Sequence, residues 1–202
     1  MRKFILALTI TCCLAAILHC DSSAQDKGQA APDMAEMMNK WKEASSPNEH
    51  HKSFAGMVGK WNTENTMWMA PGAPPMVSKG TAEMSLILDG RFLKQEAKGE
   101  FMGGPYSGSG LTGYDNMKKC YVMTWVDNTA SGISSAEGNY DMSGKVLTLY
   151  GKMDEPTTGE HDKNVKYVLR KIDDNKFVFE VHDLVIGEPN TKVMEITYTR
   201  AK

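Results

Sequence analysis

Two spacings of apolar residues divide the chain into a helical segment and a β segment. Met34, Met37, Met38 and Trp41 lie three or four positions apart, so one face of a helix would carry all of them. From Gly59 onward, apolar and polar residues alternate with a period of two, which is typical of half-buried strands. The pattern therefore predicts one short amphipathic helix that is followed by a β domain.

The predicted helix has a start signal and a stop signal. Asp33 can accept a hydrogen bond from the first turn, and Glu36 follows it three residues later, as in a capping box. Pro47 ends the helix because proline cannot continue the hydrogen-bond ladder. We expect the apolar stripe to lie against the barrel or to close one end of it. Copper binding by the methionines is the alternative, but no cysteine or histidine shares that face.

Short strands separated by turn signals are predicted between residues 59 and 200. Asp89-Gly90 is a two-residue hairpin signal, and polar turns follow at 114–116, 141–144 and 173–175. Short connections favour an up-and-down order, and closure into a barrel removes exposed edge strands. The predicted fold is therefore all-β, an antiparallel up-and-down β-barrel of about ten strands.

Alternation within the predicted strands places several polar or amphipathic side chains inside the barrel. The inward-facing candidates are Asn65, Arg91, Gln95, Trp125, Tyr167 and Tyr198. A barrel of this size, with an apolar lining and a few polar groups, can enclose a small ligand. We therefore predict that these six residues contact a small, mostly apolar molecule. The alternative is a filled core whose polar groups bond one another and water.

The N-terminal residues predict export. Residues 1–24 combine two basic residues, the apolar run Phe4–Leu18 and a small-residue cleavage site, which is typical of a signal peptide. The run is shorter than the roughly 20 residues that span a membrane, so we expect no transmembrane segment in the mature chain. The predicted product is periplasmic or secreted. A lipoprotein anchored through Cys20 is a less favoured alternative, because His19 occupies a position that requires a small residue.

Three segments follow from these signals: a signal peptide (1–24), a linker with the short helix (25–52) and a β-barrel domain (53–202). After cleavage, Cys120 is the one remaining cysteine, so an internal disulfide is not expected and the barrel depends on its core. The formal net charge of the chain is −2, and the sequence has no basic face that would suggest nucleic-acid binding.

The sequence contains no complete motif for a metal site or for a familiar catalytic centre. No histidine or cysteine pair has zinc-ligand spacing, and no serine lies in a nucleophile elbow. The glycine-rich run 103–110 lacks the lysine of a phosphate-binding loop, so we expect its glycines to serve turns or close packing. An enzyme, either a hydrolase or an isomerase that uses Asp127 or a tyrosine, remains the alternative function.

No cofactor is predicted. One alternative is haem, bound through His182 in a protein of the nitrobindin type. His182 alternates with Glu180 and is expected to face outward, which does not favour this role.

Nine short motifs follow one another along most of the chain. They are Pro47, His50-His51-Lys52, Gly59-Lys60-Trp61, Ala70-Pro71-Gly72, Pro75, Gly90-Arg91-Phe92, Gly113-Tyr114-Asp115-Asn116, Thr124-Trp125-Val126-Asp127 and Ile196-Thr197-Tyr198-Thr199-Arg200. Together they resemble the bacterial family called domain of unknown function 1579. The resemblance implies a fold but no activity, since none is established for that family.

A looser resemblance joins the two ends of the predicted barrel. Gly59-Lys60-Trp61 in the first strand and Arg200 in the last are similar to the lipocalin or calycin pattern, in which an arginine lies over the tryptophan at the closed end. A guanidinium group over an indole contributes about 0.5–2 kcal/mol as a cation–π contact. The resemblance implies a structural role for Trp61 and Arg200.

Overall fold

The computed structural model describes residues 33–70, 72–156, 158–184 and 191–202. The predicted signal peptide, Cys20 and most of the predicted linker lie outside these residues. Within the described part of the chain, ten strands form one closed antiparallel barrel. No helix in these ranges is long and apolar enough to cross a membrane.

The barrel is an up-and-down meander, because each strand pairs with the next one in the sequence and the last strand pairs with the first. The strands are β1 (Gly59–Met67), β2 (Met76–Ile87), β3 (Phe92–Phe101), β4 (Gly104–Asp115), β5 (Cys120–Asp127), β6 (Ser134–Tyr140), β7 (Val146–Glu155), β8 (Glu160–Asp173), β9 (Lys176–Asp183) and β10 (Thr191–Arg200). This arrangement confirms the predicted fold class.

Strand β2 shows how alternation fills the interior. Ala82 and Met84 point into the barrel and are buried, whereas Thr81, Glu83 and Ser85 face solvent. The inward side chains of the other strands join them in a single hydrophobic core. Burying one large apolar side chain stabilises the fold by roughly 1.5–3 kcal/mol.

Helix α1 (Met34–Ser45) forms as predicted, but its apolar stripe does not pack on the barrel. Asp33 caps the first turn. Met34, Met38 and Trp41 are 69%, 62% and 70% exposed, and no residue of the helix is buried. The expectation that the stripe lies on the barrel or closes it is therefore wrong.

The described hydrogen bonds hold α1 at its C-terminal end. Asn116 Nδ2 donates to the carbonyl oxygens of Ala44 (3.1 Å) and Ser46 (2.8 Å). Arg91 Nε donates to the carbonyl oxygen of Ser45 (3.0 Å). These bonds satisfy carbonyls that a helix end leaves unpaired. They fix where the helix ends but do not bring its apolar face onto the sheet.

A different segment closes this end of the barrel. Helix α2 (Glu49–Lys52) and a 3₁₀ helix (Ser53–Met57) follow Asn48, whose side chain caps α2. Phe54 and His51 are 3% and 6% exposed, and Phe54 belongs to the core cluster. We call α2 and the 3₁₀ helix the plug. Because the plug fills the space that the stripe of α1 was expected to fill, α1 remains outside.

Trp61 and Arg200 lie together beside the plug. The Cζ atom of Arg200 is 4.2 Å from the centroid of the Trp61 ring. The guanidinium also donates to the carbonyl oxygens of Val58 and Gly56, at 2.9 Å each. Trp61 Nε1 donates to the carbonyl oxygen of Met57 at 2.9 Å. This pair therefore ties the first and last strands to the plug.

Candidate functional site

We call the end of the barrel opposite the plug the far end. Strands β1 and β5 both run from the plug toward this end, and the β3–β4 turn lies there. Five of the six predicted interior residues face inward: Asn65, Gln95, Trp125, Tyr167 and Tyr198. Arg91 does not.

Arg91 lies in the turn before β3 rather than inside the barrel. Its Nη1 donates to the carbonyl oxygen of Leu88 (3.2 Å), and its Nε bonds Ser45 at the end of α1. Alternation assigned Arg91 to the face of Leu93, but β3 begins only at Phe92, so the side chain extends past the rim. The prediction that Arg91 points inward is wrong, and Arg91 instead anchors α1.

Gln95 and Tyr198 meet across the interior. Gln95 Nε2 donates to the Tyr198 hydroxyl at 3.0 Å, although the two residues are 103 positions apart. Burial raises the pKa of Tyr198 to about 12, so its phenol stays neutral at physiological pH. The pair adds a neutral polar group to an otherwise apolar wall.

A second polar group consists of Tyr106, Trp125 and Asp127. Trp125 Nε1 donates to the Tyr106 hydroxyl (3.0 Å) and to Asp127 Oδ2 (3.2 Å), and the Tyr106 hydroxyl donates to the same carboxylate oxygen at 3.5 Å. Asp127 Oδ1 accepts from the backbone N–H and the hydroxyl of Thr129. Burial, and then the charge of Asp127, raise the pKa of Tyr106 to about 12. We call these three residues the aromatic–carboxylate group.

Sequence reasoning named Trp125 as an interior residue and Asp127 only as an acid–base alternative, and it missed Tyr106. The signal for Tyr106 is its parity with Gly108 and Gly110 along β4. Those glycines pair across the sheet with Asp127 and Trp125. The cross-strand register brings the three side chains together, and register cannot be read from one strand alone.

Two glycines make room for the Trp125 ring. A Cβ atom at Gly108 would lie 2.5 Å from Trp125 Cζ2, and one at Gly110 would lie 2.4 Å from Trp125 Cε3. The ring therefore lies across the bare backbone of β4, and its other face turns toward the barrel interior. The expectation that glycines of the 103–110 run serve close packing is confirmed at these two positions.

The far end contains a cavity and an unpaired polar atom. The cavity is about 80 Å³ in volume, between the β1–β2 and β3–β4 connections. Its lining consists of Asn65, Met67, Met76, Val77, Ser78, Glu100, Phe101, Met102 and Gly103. The Oδ1 atom of Asn65 is buried and has no hydrogen-bond partner within the described residues. An amide oxygen in this position can accept a bond from an entering molecule.

A smaller, apolar cavity lies deeper, between the plug and the core. Its volume is about 30 Å³, and its lining includes Phe54, Leu93, Leu149, Tyr167 and Phe179. Space of this size holds about one or two water molecules at most. The plug half of the barrel is therefore nearly filled.

One ion pair also faces inward at the far end. Lys163 Nζ lies 2.8 Å from Asp183 Oδ2, and both side chains are 16% exposed. Hydrogen bonding to Asp183 raises the pKa of Lys163. The second oxygen of that carboxylate, Asp183 Oδ1, is buried without a partner in the described part of the chain. Asp183 Oδ1 is therefore able to accept a further hydrogen bond.

His182 lies on the outer face of β9. It pairs in register with Lys166 and Lys192, and its Nε2 is 3.2 Å from Glu180 Oε2. From this position it does not reach the interior, so it does not fit the role of an axial haem ligand there. Among the described residues, no group of three or more His, Cys, Asp or Glu side chains could hold a metal ion.

Comparison with solved structures identifies a similar fold. The crystal structure of Rv2717c from M. tuberculosis superposes with a TM-score of 0.55 at 16% sequence identity, over 78% of this chain and 100% of that chain. A redesigned β-barrel gives a TM-score of 0.39 at 14% identity, over 73% of this chain and 94% of the other. At such identity the first likeness shows the fold alone.

Comparison of sequences places the chain in a family without assigning it an activity. No curated protein matches it. The sequence model of one family matches residues 46–200, which is most of the chain and includes the plug and all ten strands. The chain therefore belongs to the family described as "Protein of unknown function (DUF1579)".

Proposed function

We propose that the barrel binds a small, mostly apolar molecule, which enters at the far end and lies among the inward-facing residues. The observation that carries this proposal is a far-end cavity beside the buried, unpaired amide oxygen of Asn65. A buried polar atom without a partner costs about 1–3 kcal/mol. A ligand group that bonds Asn65 would recover this cost, while its apolar part would be buried in the barrel.

The dimensions of the cavity limit the ligand and require movement at the rim. Sites for drug-sized ligands have volumes of about 300–1,000 Å³, whereas the far-end cavity has about 80 Å³. Met76 and Met102 line it and are 44% and 62% exposed. Methionine side chains are flexible and repack readily. We therefore expect these methionines to move outward when a ligand longer than a few atoms enters.

The predicted signal peptide supports binding outside the cytoplasm, in the periplasm or after secretion. An exported barrel would suit capture of a diffusible small molecule. Native mass spectrometry and solvent extraction of the protein purified from its own host would identify such a molecule. A bound species that is lost from a variant with a blocked cavity would support the proposal.

Titration with the neutral fluorescent probe N-phenyl-1-naphthylamine tests the proposal directly. In the Asn65→Phe variant an aromatic ring fills the far-end cavity, so binding should weaken by about tenfold or more. The matched control is Asn62→Phe, because Asn62 lies on the same strand and is exposed. Equal affinity in both variants, or no binding by the unaltered chain, would overturn the proposal. Circular dichroism confirms that both variants fold.

Catalysis by Asp127 is a second candidate function, which the contact between Tyr106 and Asp127 favours. Two titratable side chains face each other inside the barrel, as an acid–base site requires. The raised pKa of Tyr106 keeps its phenol protonated, so it would act as a hydrogen-bond donor and Asp127 as the base. Any turnover found in a panel of ester and isomerase substrates should disappear in Asp127→Asn. Full turnover in that variant would exclude this role.

A further inference from the structure

The far end of the interior carries a carboxylate that no described cation neutralises. Asp127 takes part in none of the described ion pairs, and its four hydrogen bonds come from the neutral groups of Tyr106, Trp125 and Thr129. Another inward-facing carboxylate, Asp183, lies 2.8 Å from Lys163, whose ammonium group is also 3.3 Å from Glu160. Within the described ion pairs, Asp127 therefore has no cationic partner.

The surroundings of Asp127 are suited to a cation. The carboxylate lies beside two aromatic side chains, Tyr106 and Trp125, and one face of the indole turns toward the interior. Aromatic faces attract ammonium groups, by about 0.5–2 kcal/mol depending on how far the pair is removed from water. A carboxylate flanked by aromatic rings is thus a favourable partner for an ammonium group.

The unpaired atoms favour a ligand that donates hydrogen bonds. Asp183 Oδ1 is buried without a partner among the residues that the structure describes, and a carboxylate oxygen can only accept. Asn65 Oδ1 is the other unpaired interior atom. Rotation of the Asn65 amide would present its NH₂ group instead, so Asn65 can bond either a donor or an acceptor. The preference for a donor therefore depends on the two aspartates.

We infer, on the basis of the proposed function, that the ligand carries a protonated amine, and that the ammonium group binds the Asp127 carboxylate beside Tyr106 and Trp125. The apolar part of the ligand then lies against the core, with Gln95 and Tyr198 as neutral neighbours. Charge repulsion favours this assignment, because an anionic head group would be brought toward the negative charge of Asp127. The barrel would select small amphiphilic amines over alcohols and acids of the same length.

Three probes with one chain length and different head groups test this inference. They are n-octylamine, which is protonated at neutral pH, 1-octanol and octanoate. Each displaces N-phenyl-1-naphthylamine in competition. We expect octylammonium to bind at least about tenfold more tightly than octanoate, which is the effect of one charge-assisted hydrogen bond, with octanol between them.

Two variants with the same change in net charge test whether Asp127 causes the preference for an amine. Asp127→Asn should reduce the ratio of octylammonium to octanoate affinity by about tenfold while leaving octanol binding unchanged. Asp89→Asn is the control, because it makes the same change in net charge at the exposed β2–β3 turn near the plug. A ratio that falls equally in both variants would indicate long-range charge alone and would overturn the assignment to Asp127.

The outcomes separate this inference from the proposed function. If octanol and octanoate bind as well as octylammonium, the barrel binds small molecules but does not select amines. If N-phenyl-1-naphthylamine itself does not bind, the proposed function fails; if it binds but octylammonium does not displace it, only the inference of an amine ligand fails. Should Asp127→Asn not fold, the order of affinities in the unaltered chain still decides between the amine and the acid.

Discussion

The two ends of the barrel use their polar groups in opposite ways. Near the plug, the guanidinium of Arg200, the indole N–H of Trp61 and the side chain of Asn48 all bond neighbouring groups. At the far end, Asn65 Oδ1 is buried beside a small cavity and Asp183 Oδ1 is buried elsewhere, and neither atom has a hydrogen-bond partner among the described residues. One end is therefore optimised for stability, whereas the other tolerates a cost that a ligand can remove.

This difference follows from one repeating pattern. Alternation supplies inward side chains all along each strand, and what covers the barrel end decides whether they are satisfied. The plug brings Phe54 and backbone carbonyls to one end. No comparable helix covers the far end within the described residues. The proposed binding site thus lies at the end of the barrel that the plug does not cover.

Removal of the Trp61 ring should have the largest effect. Trp61 is 2% exposed and contacts both Arg200 and Phe177. We expect Trp61→Ala to lower the free energy of unfolding by about 3–5 kcal/mol, because it leaves a cavity in the core. Urea denaturation measures the loss. Trp68→Ala is the control, since Trp68 lies near the far end and contacts Lys192 on the outer face. Equal losses in both variants would contradict the proposed difference between the ends.

A methyl group at Gly110 should have the next largest effect. It would lie 2.4 Å from Trp125 Cε3 and 2.5 Å from the carbonyl oxygen of Thr124, so the ring has to move. We expect Gly110→Ala to destabilise the fold by about 1–3 kcal/mol and to shift the emission of Trp125. At Gly132 an added Cβ meets nothing within 4 Å, which makes Gly132→Ala the control. An unchanged unfolding curve for Gly110→Ala would show that the Trp125 ring does not pack against the backbone of β4 at Gly110.

Acid should weaken the plug end through His51. Burial lowers the pKa of His51 below its ordinary value of 6.5, so the folded chain binds this proton less readily than the unfolded chain. The contribution of neutral His51 to the free energy of unfolding is therefore complete above pH 6.5. It decreases as the pH falls through and below that value.

We expect the stability advantage of the unaltered chain over His51→Gln to shrink between about pH 8 and about pH 5. Chemical denaturation at each pH gives this difference. His161→Gln is the control, because the His161 side chain is 82% exposed. An advantage that grows with acid would contradict the assigned direction of the pKa shift.

Replacement of Asn65 should have the smallest effect on stability. Asn65→Leu removes an unpaired buried atom, so the free energy of unfolding should change by less than about 0.5 kcal/mol or rise. Gln95→Leu is the comparison, because it breaks the 3.0 Å bond to Tyr198 and should cost about 0.5–1.5 kcal/mol. Both changes put leucine inside the barrel, and urea denaturation distinguishes them. A loss for Asn65→Leu as large as that for Gln95→Leu would show that Asn65 is already satisfied.

The fold was predictable because its signals are local. Turn residues mark where strands end, and alternation such as Ala82 and Met84 against Glu83 marks which face is buried. Helix α1 shows the limit of this reasoning. Its apolar spacing and its Asp33 cap predict a helix, but not whether a partner covers the stripe. The short segment around Phe54 competes for the same end of the barrel, and its periodicity is too brief to detect.

The candidate site was predictable only in part, because it depends on register. Parity along single strands places Gln95 and Tyr198 inside, but their bond depends on the pairing of all ten strands. Arg91 was misassigned because alternation does not say where the rim of the barrel lies. Tyr106 was missed because its relation to Trp125 depends on the pairing of β4 with β5.

The closure of β1 against β10 has a consequence for biosynthesis. Asn65 belongs to one of these strands and Tyr198 to the other, so the wall that we propose binds the ligand crosses the seam of the barrel. A ribosome-bound chain that ends before residue 191 lacks β10 altogether. Such a chain has neither the complete wall nor the contact between Arg200 and Trp61. If the proposed function holds, ligand binding therefore requires a chain in which β10 has been synthesised and paired with β1.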